Sequence, residues 1–126
     1  MPKYSVQSTN ILRRAHPDLI RLFNEVILYT DCKIICSYRD KEDQDLAYKN
    51  GRSQLKWPDS KHNKTPSLAV DVLPYFSVEP HIRWDDINAF HKLAGYVLGI
   101  AGVRGIKITW GGCWEFSDLP HYQLGG

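Results

Sequence analysis

Ser60-Lys61-His62-Asn63-Lys64-Thr65-Pro66-Ser67-Leu68-Ala69-Val70-Asp71-Val72-Leu73-Pro74 carries the chain from a polar loop into a buried strand. Two kinds of segment meet in it. Residues 52–66 are polar, hold two prolines and have no hydrophobic period, which predicts a loop. At about fifteen residues it exceeds an ordinary connection, and such loops tend to carry function. Ala69 to Leu73 then form a compact apolar run that Pro74 ends, the pattern of a buried strand. Asp71 interrupts that run. A carboxylate in a buried strand is costly unless it is paired or bound to a metal, and His62 stands nine positions before it.

On the N-terminal side, Pro17-Asp18 predicts the first turn of a helix running to about Tyr29, with Leu19, Leu22, Phe23, Val26 and Ile27 on one face. Ser8-Thr9-Asn10 predicts the cap of a short turn ahead of it. Lys33 to Tyr38 reads as a strand in which Ile34 and Cys36 alternate against Ile35 and Ser37. Asp40, with Asp43 three residues on, predicts a helix cap, and that helix passes Leu46 and Ala47 to stop at Asn50-Gly51.

On the C-terminal side, Asp85 or Asp86 caps a second long helix in which Ile87, Phe90, Leu93, Ala94, Val97 and Leu98 recur at helical spacing. Gly99, Gly102 and Gly105 are expected to end it; they neither follow a strand nor open a helix, which argues against a dinucleotide-binding turn. Ile106 to Trp110 predicts a further strand, and Gly111 to Gly126 is rich in glycine and aromatic residues. The sum is one domain over residues 1–126 of the α+β class, a small, mainly antiparallel sheet with helices packed on it and no repeat or linker.

Composition narrows the function classes. The chain has 126 residues, 43% hydrophobic and 24% charged, which is ordinary for a soluble globular protein. A net charge of +2 is too small to indicate a nucleic-acid partner. Nowhere do about 18 apolar residues run together, so no membrane insertion is expected. Residues Met1 to Ser8 lack the apolar core of a signal peptide, so the chain is expected to be made in the cytoplasm. Three cysteines cannot complete a disulfide framework; Cys32 and Cys36 are read as reduced packing residues and Cys113 as a packing residue that binds no metal. Four Trp and seven Tyr beside five His form a surplus that composition leaves unexplained.

Four residues bear on chemistry. A catalytic zinc takes three protein ligands from imidazole and carboxylate and leaves a fourth position open. His62, Asp71 and His121 would supply that set, because a loop and two strands could converge them. Asp118, three residues before His121, would stand beside the metal as the carboxylate that takes a proton from water. Spacing alone leaves this open. A histidine in a soluble domain is more often a surface or structural residue, Asp71 alternatively caps a turn, and Asp118 alternatively satisfies loop amides. His16, His81 and His91 are given that ordinary role.

Ser60-Lys61-His62 leading to Pro66-Ser67-Leu68-Ala69-Val70-Asp71, then Trp110-Gly111-Gly112-Cys113-Trp114 and Asp118-Leu119-Pro120-His121-Tyr122-Gln123-Leu124, resemble the zinc peptidases of the D-alanyl-D-alanine carboxypeptidase and L-alanyl-D-glutamate endopeptidase family. Within it the chain is most similar to the small single-domain endolysins of bacteriophages. His16-Pro17-Asp18-Leu19 and Ser37-Tyr38-Arg39 with Gln44 extend the similarity over nearly the whole chain. The resemblance implies a hedgehog or D-Ala-D-Ala peptidase-like fold with a zinc site at the sheet cleft. It also implies that His62, Asp71 and His121 hold one Zn2+ per chain and that Asp118 is the general base. Arg39 would hold a substrate carboxylate or an oxyanion, a task suited to a forked guanidinium. Ser60 and Trp114 would touch substrate, and Gln44 would touch substrate or brace the arginine.

Two departures stand out. Nine positions separate the first histidine from the aspartate, where many relatives have a shorter connection, and Cys113 stands where many carry an acid. The implied activity is hydrolysis of the stem peptide of bacterial peptidoglycan at the L-alanyl-D-glutamate bond by a monomer without a separate wall-binding domain. Such a protein would accumulate in the host cytoplasm and reach the wall through a holin. The alternatives are a D-alanyl-D-alanine carboxypeptidase or dipeptidase of the same fold, a non-catalytic zinc-containing wall-binding module, and a metal nuclease, which the small net charge disfavours. Trp110 and Trp114 are expected to wall the pocket and Trp84 to anchor the second long helix, while Trp57 and Tyr75 flank the segment that carries the first two presumed ligands.

Overall fold

A computed structural model of the chain describes residues 2–125. Helix α1 (Val6–Leu12) opens with Ser5, whose Oγ accepts from the Ser8 amide at 3.0 Å. The expected capped turn is therefore a full helix that starts earlier. Ser8 lies inside it, with Oγ donating to the Ile34 carbonyl and accepting from the Ile34 amide. Helix α2 (Pro17–Val26) has proline at its first position, where no amide is needed, and His16 Nδ1 caps it by accepting from the Asp18 amide at 3.0 Å. Leu19, Leu22, Phe23 and Val26 are fully buried, each stabilising the fold by about 1.5–3 kcal/mol.

Helix α3 (Lys41–Lys49) is capped by Asp40, which accepts from the Asp43 amide at 2.9 Å, as the sequence predicts. Helix α4 (Ile87–Arg104) is capped by Asp86 and runs past Gly99 and Gly102 to Gly105, whose left-handed φ of 69° closes it. Each internal glycine costs a helix about 1 kcal/mol. The buried stripe of Phe90, Leu93, Ala94, Val97 and Ala101 outweighs that, so two of the three expected stops are not stops.

Strands β1 (Cys32–Cys36), β2 (Ala69–Pro74), β3 (Ile108–Trp110) and β4 (His121–Leu124) form one antiparallel sheet in the order β1-β2-β4-β3. Opposed residues share a face, and alternate residues along a strand share one too. Ile34, Val70, Val72, Tyr122 and Trp110 therefore line the face that α2 and α4 cover. The opposite face carries Asp71 against His121 and Ala69 against Gln123. In β1 the pairing shifts by one between Ile34, opposite Val72, and Cys36, opposite Asp71. That bulge breaks the expected alternation and turns Cys36 away from the core, into line with Asp71 and His121.

Candidate active site

His62 sits in a 3₁₀ turn (Lys61–Asn63) that two reciprocal bonds hold in shape. Ser60 Oγ accepts from the His62 amide at 3.2 Å, and Asn63 Oδ1 accepts from the Ser60 amide at 3.0 Å. The turn is tied to the sheet where the His62 carbonyl accepts from the Arg39 amide at 2.8 Å. The ring is buried and its Nδ1 lies 2.7 Å from the Ser37 carbonyl, which can only accept. Nδ1 thus carries the proton and Nε2 is left bare. His121 shows the mirror arrangement: Nε2 donates to Gln123 Oε1 at 2.8 Å, leaving Nδ1 bare. The two bare nitrogens are 3.2 Å apart, and each is 3.3 Å from Asp71 Oδ1.

Three donors in a triangle of that size suit one ion. Tetrahedral ligands at about 2.0 Å from zinc stand roughly 3.3 Å from one another. Hydrogen bonds on the outer nitrogens supply the orientation that metal-binding imidazoles need. Cys36, His62 and Asp71 also offer ligand atoms within 4.8 Å of one another, so the cluster can hold a metal ion. Cys36 Sγ approaches His62 on the Nδ1 side, at 3.8 Å, where the Ser37 carbonyl already takes the proton. Alternation alone could not have brought this thiol to the site, because only the bulge places it there.

The electrostatics of the cluster call for a positive charge. Burial opposes a charge on His62, yet the Asp71 carboxylate overrides it and pushes the imidazole up to about 10, so that without a metal a proton is favoured on Nε2, the position a metal cation would take in its place. Burial likewise opposes charge on Asp71, but His62 and His121 keep it far below the usual carboxylate range. Asp118 behaves in the opposite way. Burial raises its pKa first, the negative charge of Asp71 adds to this, and the group becomes a stronger base than an ordinary aspartate. Its Oδ2 is 4.0 Å from His121 Nδ1. The Asp118 amide donates to the Gly111 carbonyl at 2.9 Å, and a Cβ at residue 111 would lie 2.5 Å from the Asp118 carbonyl oxygen. Only glycine permits that approach.

Arg39 does not pair with Asp40 or Asp43. Its Nη2 lies 3.6 Å from Asp71 Oδ2, and its Nη1 donates to Gln44 Oε1 at 2.9 Å. Gln44 corrects the expectation of a substrate contact, because it is fully buried beneath the arginine. It also accepts from Asn63 Nδ2 and donates to Ser53 Oγ and the Leu55 carbonyl, so it braces Arg39 against the following loop. Ser60 lines the cavity, while its hydroxyl oxygen serves the turn under His62.

A cavity of about 560 Å³ opens over these groups. Trp114 lines it, as expected, with its ring centroid 5.1 Å from that of His121. Trp110 does not. Its ring is buried, donates from Nε1 to the Leu119 carbonyl at 2.7 Å and meets His91 edge-on. Trp57 and Tyr75 are also absent from the lining, and Tyr75 stacks on His81 instead. Trp84 reverses its expected role. It is 60% exposed at the mouth of the cavity, where Phe116 and Leu55, unremarked in the sequence, join it.

His16, His81 and His91 keep the structural roles assigned to them: a helix cap, a bond to the Phe76 carbonyl and an aromatic contact. Cys32 is buried and free, with a pKa pushed up to about 12 by burial, whereas Cys113 is exposed and is not a packing residue.

Comparison with known proteins agrees with this geometry. No curated protein sequence matches the chain. Among solved structures it is similar to the L-Ala D-Glu endopeptidase ChiX of Serratia marcescens, at 28% identity and a TM-score of 0.83, over 98% of this chain and 90% of that one. The model of the phage L-alanyl-D-glutamate peptidases matches residues 1–123. With nearly all its length matched, the chain belongs to the phage L-alanyl-D-glutamate peptidase family.

Proposed function

We propose that this peptidase works with one zinc ion per chain, held by His62, Asp71 and His121, and cuts the L-alanyl-D-glutamate bond of peptidoglycan with Asp118 as general base. The observation that carries the reading is the triangle of two bare imidazole nitrogens and one carboxylate oxygen, 3.2–3.3 Å on a side, with a basic carboxylate next to it. Zinc bound there supplies Lewis acidity, which acidifies water and polarises a carbonyl. Asp118 takes the proton of the attacking water as the oxygen bonds to the alanine carbonyl carbon, and returns it to the glutamate nitrogen as the peptide bond breaks. Arg39 lines the cavity with one nitrogen braced by Gln44, and offers its remaining donors to the free α-carboxylate of D-glutamate or to the developing oxyanion.

All of these groups come from one chain, which suits a monomer. No described helix is long and apolar enough to cross a membrane. On this reading the enzyme accumulates in the host cytoplasm and reaches the wall once a holin opens the membrane. The test joins metal analysis to digestion. One zinc per chain is expected, retained in Cys36→Ser and lost in His121→Ala, and mass spectrometry of digested muropeptides should show new N-terminal D-glutamate. Release of D-alanine alone would assign the cut elsewhere, and zinc lost with Cys36 but kept without His121 would replace the third ligand.

A further inference from the structure

The ligand row gives the cavity a direction. Across the sheet the order is β1, β2, β4, β3, so Asp71 and His121 occupy the middle strands. Arg39 follows β1 at one flank, and Trp114 and Phe116 follow β3 at the other. Arg39 thus stands on one side of the ligands and the rings of Trp114 and Phe116 on the other, while Lys61, which also lines the cavity, is tied to the Leu124 carbonyl. Trp84 adds a second observation. It lines the catalytic cavity and also borders an adjoining open groove where Arg83, Asp85 and Asp86 supply charged groups. Its ring, 60% exposed, is the shared wall of both.

This asymmetry matches a substrate with two unlike ends. On one side of the L-alanyl-D-glutamate bond lies a free carboxylate. On the other a single residue separates the scissile carbonyl from the lactyl ether of an amino sugar, whose C–H faces suit flat rings and whose hydroxyls suit flanking carboxylates. We propose that Trp84, with Trp114 and Phe116, forms a saccharide subsite that holds the muramyl sugar on the alanine side of the scissile bond. The subsite rests on the proposed cut at that bond.

The experiment compares kcat/KM on a disaccharide-bearing muropeptide with that on the same stem peptide lacking sugar. Wild-type enzyme is expected to favour the sugar-bearing substrate. Trp84→Ala should cut the preference for the sugar-bearing substrate, as the ratio of the two kcat/KM values, by about fivefold to tenfold, and Trp84→Phe should keep most of it. The residue is exposed, so the fold should tolerate both changes; an unshifted melting temperature checks this. Equal losses on the two substrates, or no loss on either, would overturn the subsite. If the wild type releases no N-terminal D-glutamate from either substrate, the reaction itself has been misassigned and the subsite falls with it.

Discussion

The two faces of β2 differ by one residue step and by almost everything else. Val70 and Val72 point into the helices, are fully buried and need nothing but shape. Asp71, between them, points into a cleft where two histidines and an arginine surround one carboxylate. The first face is held by apolar area, which is tolerant of chemistry and intolerant of volume. On the second face orientation matters most, and there volume is left open. Stability and activity should therefore respond to different mutations.

The largest effect is expected from Asp118→Ala, which should lower kcat by about 10²–10⁴-fold with zinc content and melting temperature nearly unchanged. An enzyme that still lysed walls at the normal rate would remove Asp118 from the chemistry. On the other face, Phe23→Ala should cost about 3–5 kcal/mol in denaturant unfolding, yet the folded fraction should bind zinc with normal affinity. If affinity fell in step with stability, the two faces would not be separable. Gln123→Leu should weaken zinc binding by about tenfold to a hundredfold in a chelator competition, because His121 would lose the acceptor that fixes its tautomer. Unchanged affinity would mean that the ring is oriented by packing alone. The smallest effect is Asp40→Ala, about 1 kcal/mol of stability from a lost cap, visible in the melting temperature and absent from zinc affinity.

The same contrast decides what could be read from the chain. Asp71 stood out because an acid in an apolar strand violates the local pattern, whereas His62, Asp118 and His121 stayed open on spacing and were singled out by the resemblance. Helices α2 and α3 were legible from proline, caps and apolar spacing. Cys36 was hidden, since a bulge depends on how β1 pairs with β2 and leaves no mark in the alternation of β1 itself. Trp84 was hidden for a related reason: an aromatic residue before a helix reads as an anchor until the loop that carries it is placed over a cavity. The resemblance left Gln44 either as a substrate contact or as a brace for Arg39, and its full burial, which separates the two, depends on Ser53 and Leu55 closing over it.

Tyr122 never touches the cavity, yet it governs the site. It is fully buried against Phe23, opposite Val70 on one side and Trp110 on the other. Side chains alternate along a strand, so slipping β4 by a single residue would expel this ring and drive His121 into the helices. The register that buries this ring is the register that turns His121 toward Asp71. Substitutions on the two faces can act separately, but a shift in the register of β4 would spoil the filled interior and the metal pocket together.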